Sequence, residues 1–139
     1  MKNSQNNAGV DAAVIRVLIE GHCPKLSVGS KGSLSYQCGI NQDGVYVVRV
    51  SANDASGAFS DEWIALPEVM SVLSSLTVPF RSTVFKGLFT RKSANNTAFF
   101  TAVLRQLGLV VTVDGFPSYF RRGSDMALVH QLKSLVDKG

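Results

Sequence analysis

Residues 33–52, "SLSYQCGINQDGVYVVRVSA", constrain the fold more than any other stretch. Leu34, Tyr36, Cys38 and Ile40 alternate with Ser33, Ser35, Gln37 and Gly39, so 33–40 reads as a half-buried strand. "NQDG" (41–44) is turn chemistry, and the β-branched run "VYVVRVSA" (45–52) supplies the returning strand of a hairpin. "NDASG" (53–57) turns the chain again toward "AFSDEWIA" (58–65), a weaker third strand. The centre of the chain is therefore expected to be a three-stranded antiparallel meander.

The flanks carry helical signals. "DAAVIRVLIEGH" (11–22) is expected to be a helix capped by Asp11 and stopped at Gly21, although its β-branched content leaves a strand open. In "LPEVMSVLSSLTVP" (66–79) the period changes: Val69, Val72, Leu73 and Leu76 follow i, i+3, i+4, i+7, Pro67 suits a first turn and Pro79 ends the run. This helix should cover one face of the meander. "STVFKGLF" (82–89) makes a short helix with Ser82 as cap, weakened by about 1 kcal/mol at Gly87 relative to alanine. After the basic turn "TRK", residues 93–107 form a longer helix with Ser93 as N-cap, Phe99, Phe100, Val103, Leu104 and Leu107 as its buried stripe, and Gly108 as its stop. "LVVTV" and "SYFRR" flank a turn at "DGFP", and 124–137 closes the chain as a helix with Met126, Val129, Leu132, Leu135 and Val136 on its apolar side. The expected organisation is a flexible polar lead at 1–9, a helix-meander-helix half at 10–78 suited to dimerisation or docking, and a half at 79–139 carrying the second group of elements. The fold class is α+β.

Charge divides the chain in the same place. The net charge is +4 and the isoelectric point about 9.3. Residues 81–122 hold seven basic side chains (Arg81, Lys86, Arg91, Lys92, Arg105, Arg121, Arg122) and one acid, Asp114, for +6, and the rest of the chain nets −2. That distribution is expected of a local polyanion-binding surface. Chemistry is hard to find elsewhere. Cys23 and Cys38 lack the CxxC spacing and grouped histidines of a zinc site, His22 and His130 lie in no nucleophile or metal motif, and no phosphate loop or HExxH occurs. A non-enzyme with no cofactor and no metal is expected. "MKNSQNNAG" has no apolar signal core and no run approaches about 20 apolar residues, so a cytoplasmic protein with no membrane partner is expected.

The order of short helix, basic turn, longer helix ending in "LRQLGLV", and hairpin with an aromatic and arginines on its returning strand resembles a winged helix-turn-helix domain over about residues 66–137. The resemblance implies DNA binding, duplex preferred, by a homodimeric regulator or accessory factor of bacterial, phage or mobile-element type. A helical projection sets Asn95, Ala98, Thr101, Ala102 and Arg105 opposite the Phe100/Leu104/Leu107 stripe. On the resemblance, Asn95, Ala98, Thr101 and Arg105 would face base edges or phosphates in the major groove, Arg91 and Lys92 would hold the backbone at the helix start, and Arg121 and Arg122 would reach from the wing. Gly87 in the first helix of the pair, and a second helix without an arginine-rich outer face, depart from the common pattern.

Two other classes of binding compete. The meander ending in "DEWIALPEVMSVL" is faintly similar to single-strand-binding coactivators and whirly-type proteins, which would make Tyr46, Phe59 and Trp63 stacking residues and Lys31 and Arg49 backbone contacts. A protein-only adaptor on the same scaffold is the third, since fold alone does not assign function.

Overall fold

A computed structural model describes residues 14–27 and 29–138 of the chain. The fold is α+β, with a four-stranded antiparallel sheet, a two-stranded hairpin, three α-helices and one 3₁₀ helix among those residues.

The first element is a strand, β1 (Arg16–Pro24), and not the helix expected over 11–22. Asp11, its expected cap, and the lead 1–9 lie outside the described residues. A β-bulge accounts for the difference: pairing steps from Val17↔Gly39 to Ile19↔Cys38, leaving Leu18 as the extra residue. A bulge breaks the period of two, so Val17, Leu18 and Ile19 form an unbroken apolar run whose spacing mimics a helix. The β-branched content of the run favours the extended chain.

Strands β2 (Ser33–Ile40) and β3 (Tyr46–Asn53) form the expected hairpin. Asn41 builds its turn, accepting the backbone N–H of Asp43 and of Val45 on Oδ1, each at 2.9 Å. Gly44 takes a φ of +80°, which favours glycine. Of the weak strand expected over 58–65, only β4 (Ile64–Ala65) pairs, against Val47 and Val48. The sheet order is β1-β2-β3-β4, so the three-stranded meander is corrected to four strands by the one added at the front.

One face of the sheet, with Cys23, Leu34, Tyr36, Cys38, Val48 and Val50 buried, is covered by α1 (Leu66–Ser74) and α2 (Asn96–Gln106). α1 has Pro67 in its first turn, where a missing N–H costs nothing, and buries Val69 and Leu73 completely. The 3₁₀ helix Ser82–Leu88 follows, with Arg81 rather than Ser82 at its cap position and no side-chain capping bond. Its Phe85 is fully buried and meets Phe80 and Phe100 edge-on at 6.2 and 6.1 Å, while Phe89 meets Phe100 at 5.4 Å.

α2 ends as expected at Gly108, whose φ is +84°. The N–H of Leu109 bonds the Leu104 carbonyl and that of Gly108 the Arg105 carbonyl, the paired closure of a Schellman motif. The hairpin of β5 (Val110–Val113) and β6 (Phe116–Arg122) comes next. Phe80 joins it through two backbone hydrogen bonds with Phe120, of 2.9 and 2.7 Å. The last helix, α3 (Met126–Lys138), buries Leu128 and Leu132, and Arg16 on β1 donates to its Leu135 carbonyl at 3.2 Å. Met126, expected on the apolar side, is 78% exposed, because it lies at the start of the helix beyond the buried Leu128/Leu132 pair.

A single buried cluster runs from Cys23 to Leu132 and includes residues of both sequence halves. The division near 79 is therefore a change in charge and not a break in packing. The sheet also contains a close approach that tests it: the Tyr36 ring covers Gly21, where an added Cβ would lie 2.5 Å from the hydroxyl oxygen. Gly21→Ala should cost about 1–3 kcal/mol through overpacking, measured by urea unfolding; an unchanged midpoint would show that the ring moves aside freely.

Candidate nucleic-acid interface

The basic turn after the 3₁₀ helix is held by a carboxylate from the other half of the chain. Glu62 accepts the N–H of Thr90 (3.1 Å), the N–H of Arg91 (2.9 Å), the Thr90 hydroxyl (2.6 Å) and the Ser60 hydroxyl (2.8 Å). Partial burial pushes its pKa up, but the hydrogen bonds from Thr90, Arg91 and Ser60 outweigh this and bring it from 4.5 down to about 2. Beside it Asp61 pairs with Arg91 at 3.1 Å. Both carboxylates of Asp61-Glu62 are thus engaged by the basic turn.

Buried Asn96 fastens the same loop from behind, accepting the Ser60 N–H at 2.7 Å and donating to the Arg91 carbonyl at 2.8 Å. Ser93 and Asn95 both donate to the Ala58 carbonyl, at 2.7 and 2.8 Å. Ser93 therefore does not cap α2: the helix starts at Asn96, with Asn95 in the cap position. The fastened loop encloses a half-open cavity of about 470 Å³ lined by Lys86, Phe89, Arg91, Lys92, Asn96 and Thr97, among others. Lys86, Arg91 and Lys92 are exposed around it.

The helix expected to read bases is enclosed. Phe100 turns one side of α2 toward the 3₁₀ helix, and its other side lies against β1, β2 and β3. Thr101 is 0% exposed and Ala102 1%. The Thr101 hydroxyl donates to the Thr97 carbonyl at 2.7 Å, which lets a polar residue sit in the core without an unmet hydrogen bond. Ala98 is half-buried, Asn95 is tied to Ala58, and Arg105 donates to the Lys25 carbonyl at 3.3 Å. Asn95, Ala98, Thr101 and Arg105 do not form an open face, because the sheet occupies the side on which a groove would have to approach.

The wing residues fare differently. Arg121 and Arg122 are exposed at the end of β6, and their side chains make no hydrogen bond or ion pair with a described residue. The arrangement therefore brings Arg91 and Lys92 together with Lys86 around one cavity, and leaves Arg121 and Arg122 on a neighbouring element linked through Phe80. Compared with protein-family models, curated proteins and solved structures, the chain matches none.

The rival surface on the sheet is less open than its composition suggests. Tyr46 and Phe59 pack against the core. Trp63 lies under the Arg49 guanidinium at 4.5 Å, and Arg49 donates twice to Gln37, which donates to Glu20. The guanidinium is engaged within the sheet. Cys23 and Cys38 are buried free thiols, and burial pushes the Cys38 pKa up to about 12, so it stays protonated at neutral pH. Among the described residues no helix is long and apolar enough to cross a membrane, and no group of three or more His, Cys, Asp or Glu could hold a metal ion.

The clamp carries its own test. A folded pKa below the ordinary value means that Glu62 contributes stability present above about 4.5 and lost as pH falls toward about 2. Glu62→Gln should lower the melting temperature at pH 7 and flatten its decline over that acid window. Parallel melting curves for the two proteins between pH 2 and 5 would show that the carboxylate does not hold the loop.

Proposed function

We propose that this protein binds nucleic acid without chemistry, duplex DNA preferred, through the phosphate backbone, and that the contacts are made by the basic loop and the wing and not by α2. One observation carries this reading. Of the seven cations in 81–122, six (Arg81, Lys86, Arg91, Lys92, Arg121 and Arg122) are exposed on the 3₁₀ helix, its flanking loops and the hairpin to which Phe80 ties them. The loop is pinned before any ligand arrives, so little ordering of backbone opposes binding. The order α1, paired Phe80, 3₁₀ helix, α2, hairpin supports the winged-helix resemblance, with the sheet docked on the helix that usually reads bases. Such a surface fits a small cytoplasmic regulator or accessory factor of bacterial, phage or mobile-element type. Sequence preference would then come from duplex shape, or from a second copy of the chain placing a second surface along the helix.

The experiment is a titration of labelled duplex, single strand and RNA at two salt concentrations. Six phosphate contacts at about 0.9 counterions each set a limiting slope of roughly −5 in log K against log salt. Lys86→Ala/Lys92→Ala and Arg121→Ala/Arg122→Ala should each weaken duplex binding and reduce the slope by up to about two. Both pairs leave the fold intact, since these side chains make no hydrogen bond or ion pair with described residues. Binding that ignores salt would favour the adaptor reading, and no binding to any of the three probes would end the proposal.

A further inference from the structure

The aromatic residues of this chain fall into two groups. Phe80, Phe85, Phe89 and Phe100 pack edge-on in the interior, and Phe59 packs on Phe99. Phe116 and Tyr119 form a pair outside the core, on the hairpin, with ring centroids 6.5 Å apart and planes at 88°. Phe116 directly follows the tight turn at Asp114 and Gly115 and is 60% exposed. Among the described residues it is the one aromatic in the group of exposed large apolar side chains, the others being Val14, Val17, Val78 and Met126.

The surroundings of the pair are cationic. The Arg81 guanidinium lies 5.1 Å from the Tyr119 ring centre. Phe120 is buried, so strand alternation turns Tyr119 and Arg121 to the opposite, outer face of the hairpin. An exposed aromatic at a turn, a second ring beside it and arginines at both ends match the chemistry of a nucleotide strand: π-faces for bases, guanidinium groups for the phosphates between them. An aliphatic protein partner is matched less well, because the apolar patch is small and bounded by positive charge.

We infer that the outer face of the β5–β6 hairpin is a stacking platform for unpaired bases, Phe116 and Tyr119 taking the bases and Arg81 and Arg121 the adjoining phosphates. Duplex hides the faces of its bases, so the platform engages a strand end or a junction beside the duplex that the loop cations hold. The inference rests on the nucleic-acid reading above and names the form of ligand that surface takes.

The test compares a blunt duplex with the same duplex carrying an unpaired tail, with 2-aminopurine in the tail as a reporter of stacking. The native protein should prefer the tailed duplex by roughly five- to a hundredfold, the range of one aromatic–base stack, and should quench the reporter. Phe116→Ala should abolish preference and quenching while leaving blunt-duplex affinity and its salt slope unchanged, and Phe116→Trp should restore both. Phe116 is 60% exposed, so its truncation leaves the core packing in place. Equal binding of tailed and blunt duplex by the native protein, or a preference that survives Phe116→Ala, would overturn this inference alone. Failure of the native protein to bind blunt duplex in a salt-dependent way would overturn the reading beneath it.

Discussion

The centre of helix α2, Phe99 to Leu104, is buried without a break, and the other elements pack around it. One side bears Phe100, which the 3₁₀ helix meets with Phe85 and the following loop with Phe89. The other side bears Thr101 and Ala102, fully buried on a helix that packs against β1, β2 and β3. Its C-terminal end closes on Gly108 and sends the chain directly into β5. A helix packed on two sides needs small or internally satisfied side chains on the face a sheet approaches. Ala102 and Thr101, the latter bonded to its own preceding turn, meet that need. The same arrangement covers the face of α2 that carries Thr101 and Ala102, so on the proposed reading the contacts with nucleic acid fall to what lies at its two ends.

At the N-terminal end, the segment 58–62 and the loop 89–96 are laced together by hydrogen bonds between groups far apart in sequence. Asn96 reaches Ser60, Glu62 reaches Thr90 and Arg91, and Ser93 and Asn95 share the Ala58 carbonyl. A four-fold accepting carboxylate holds a backbone turn more firmly than a surface ion pair does, since hydrogen bonds to a charged group exceed the contribution of an exposed pair. The Asp61–Arg91 pair, half-exposed on both sides, adds little by comparison. The consequence is a basic loop whose shape is set by the other half of the molecule.

The parts of this arrangement that are readable from residues alone are those whose signals are local. The strand 33–40 is plain because one face is buried and one is wet, and the turn at Asn41 because its side chain bonds the next residues. The existence of α2 and its stop at Gly108 follow from periodicity and a positive-φ glycine. β1 is misread because a bulge at Leu18 erases its alternation. The burial of Thr101 and Ala98's neighbourhood is unreadable for a different reason: small side chains look the same whether they await a groove or fill a helix–sheet contact. Glu62 and Asn96 escape notice because the groups they bond are 28 and 36 residues away. The exposure of Arg91, Lys92, Arg121 and Arg122 is readable, since charged residues at turns and strand ends have nowhere buried to go.

Charge and shape then act at different ranges on this surface. The cations at Lys86, on the 3₁₀ helix, Lys92, in the loop, and Arg121 and Arg122, on β6, are spread over three parts of the chain, so they attract a polyanion over distances near the Debye length without specifying how it lies. Only groups held at fixed positions give orientation, and two features meet that condition: the loop around the 470 Å³ cavity, fixed by Glu62 and Asn96, and the Tyr119 ring, in contact with Phe116 and Arg81. Both are joined rigidly through Phe80, whose backbone pairs with Phe120 and whose ring packs on Phe85. A strand gripped at the loop would therefore meet the wing at a set distance and angle. On the proposed reading, that fixed offset replaces the recognition helix as the source of selectivity, and it selects for the form of the nucleic acid before its sequence.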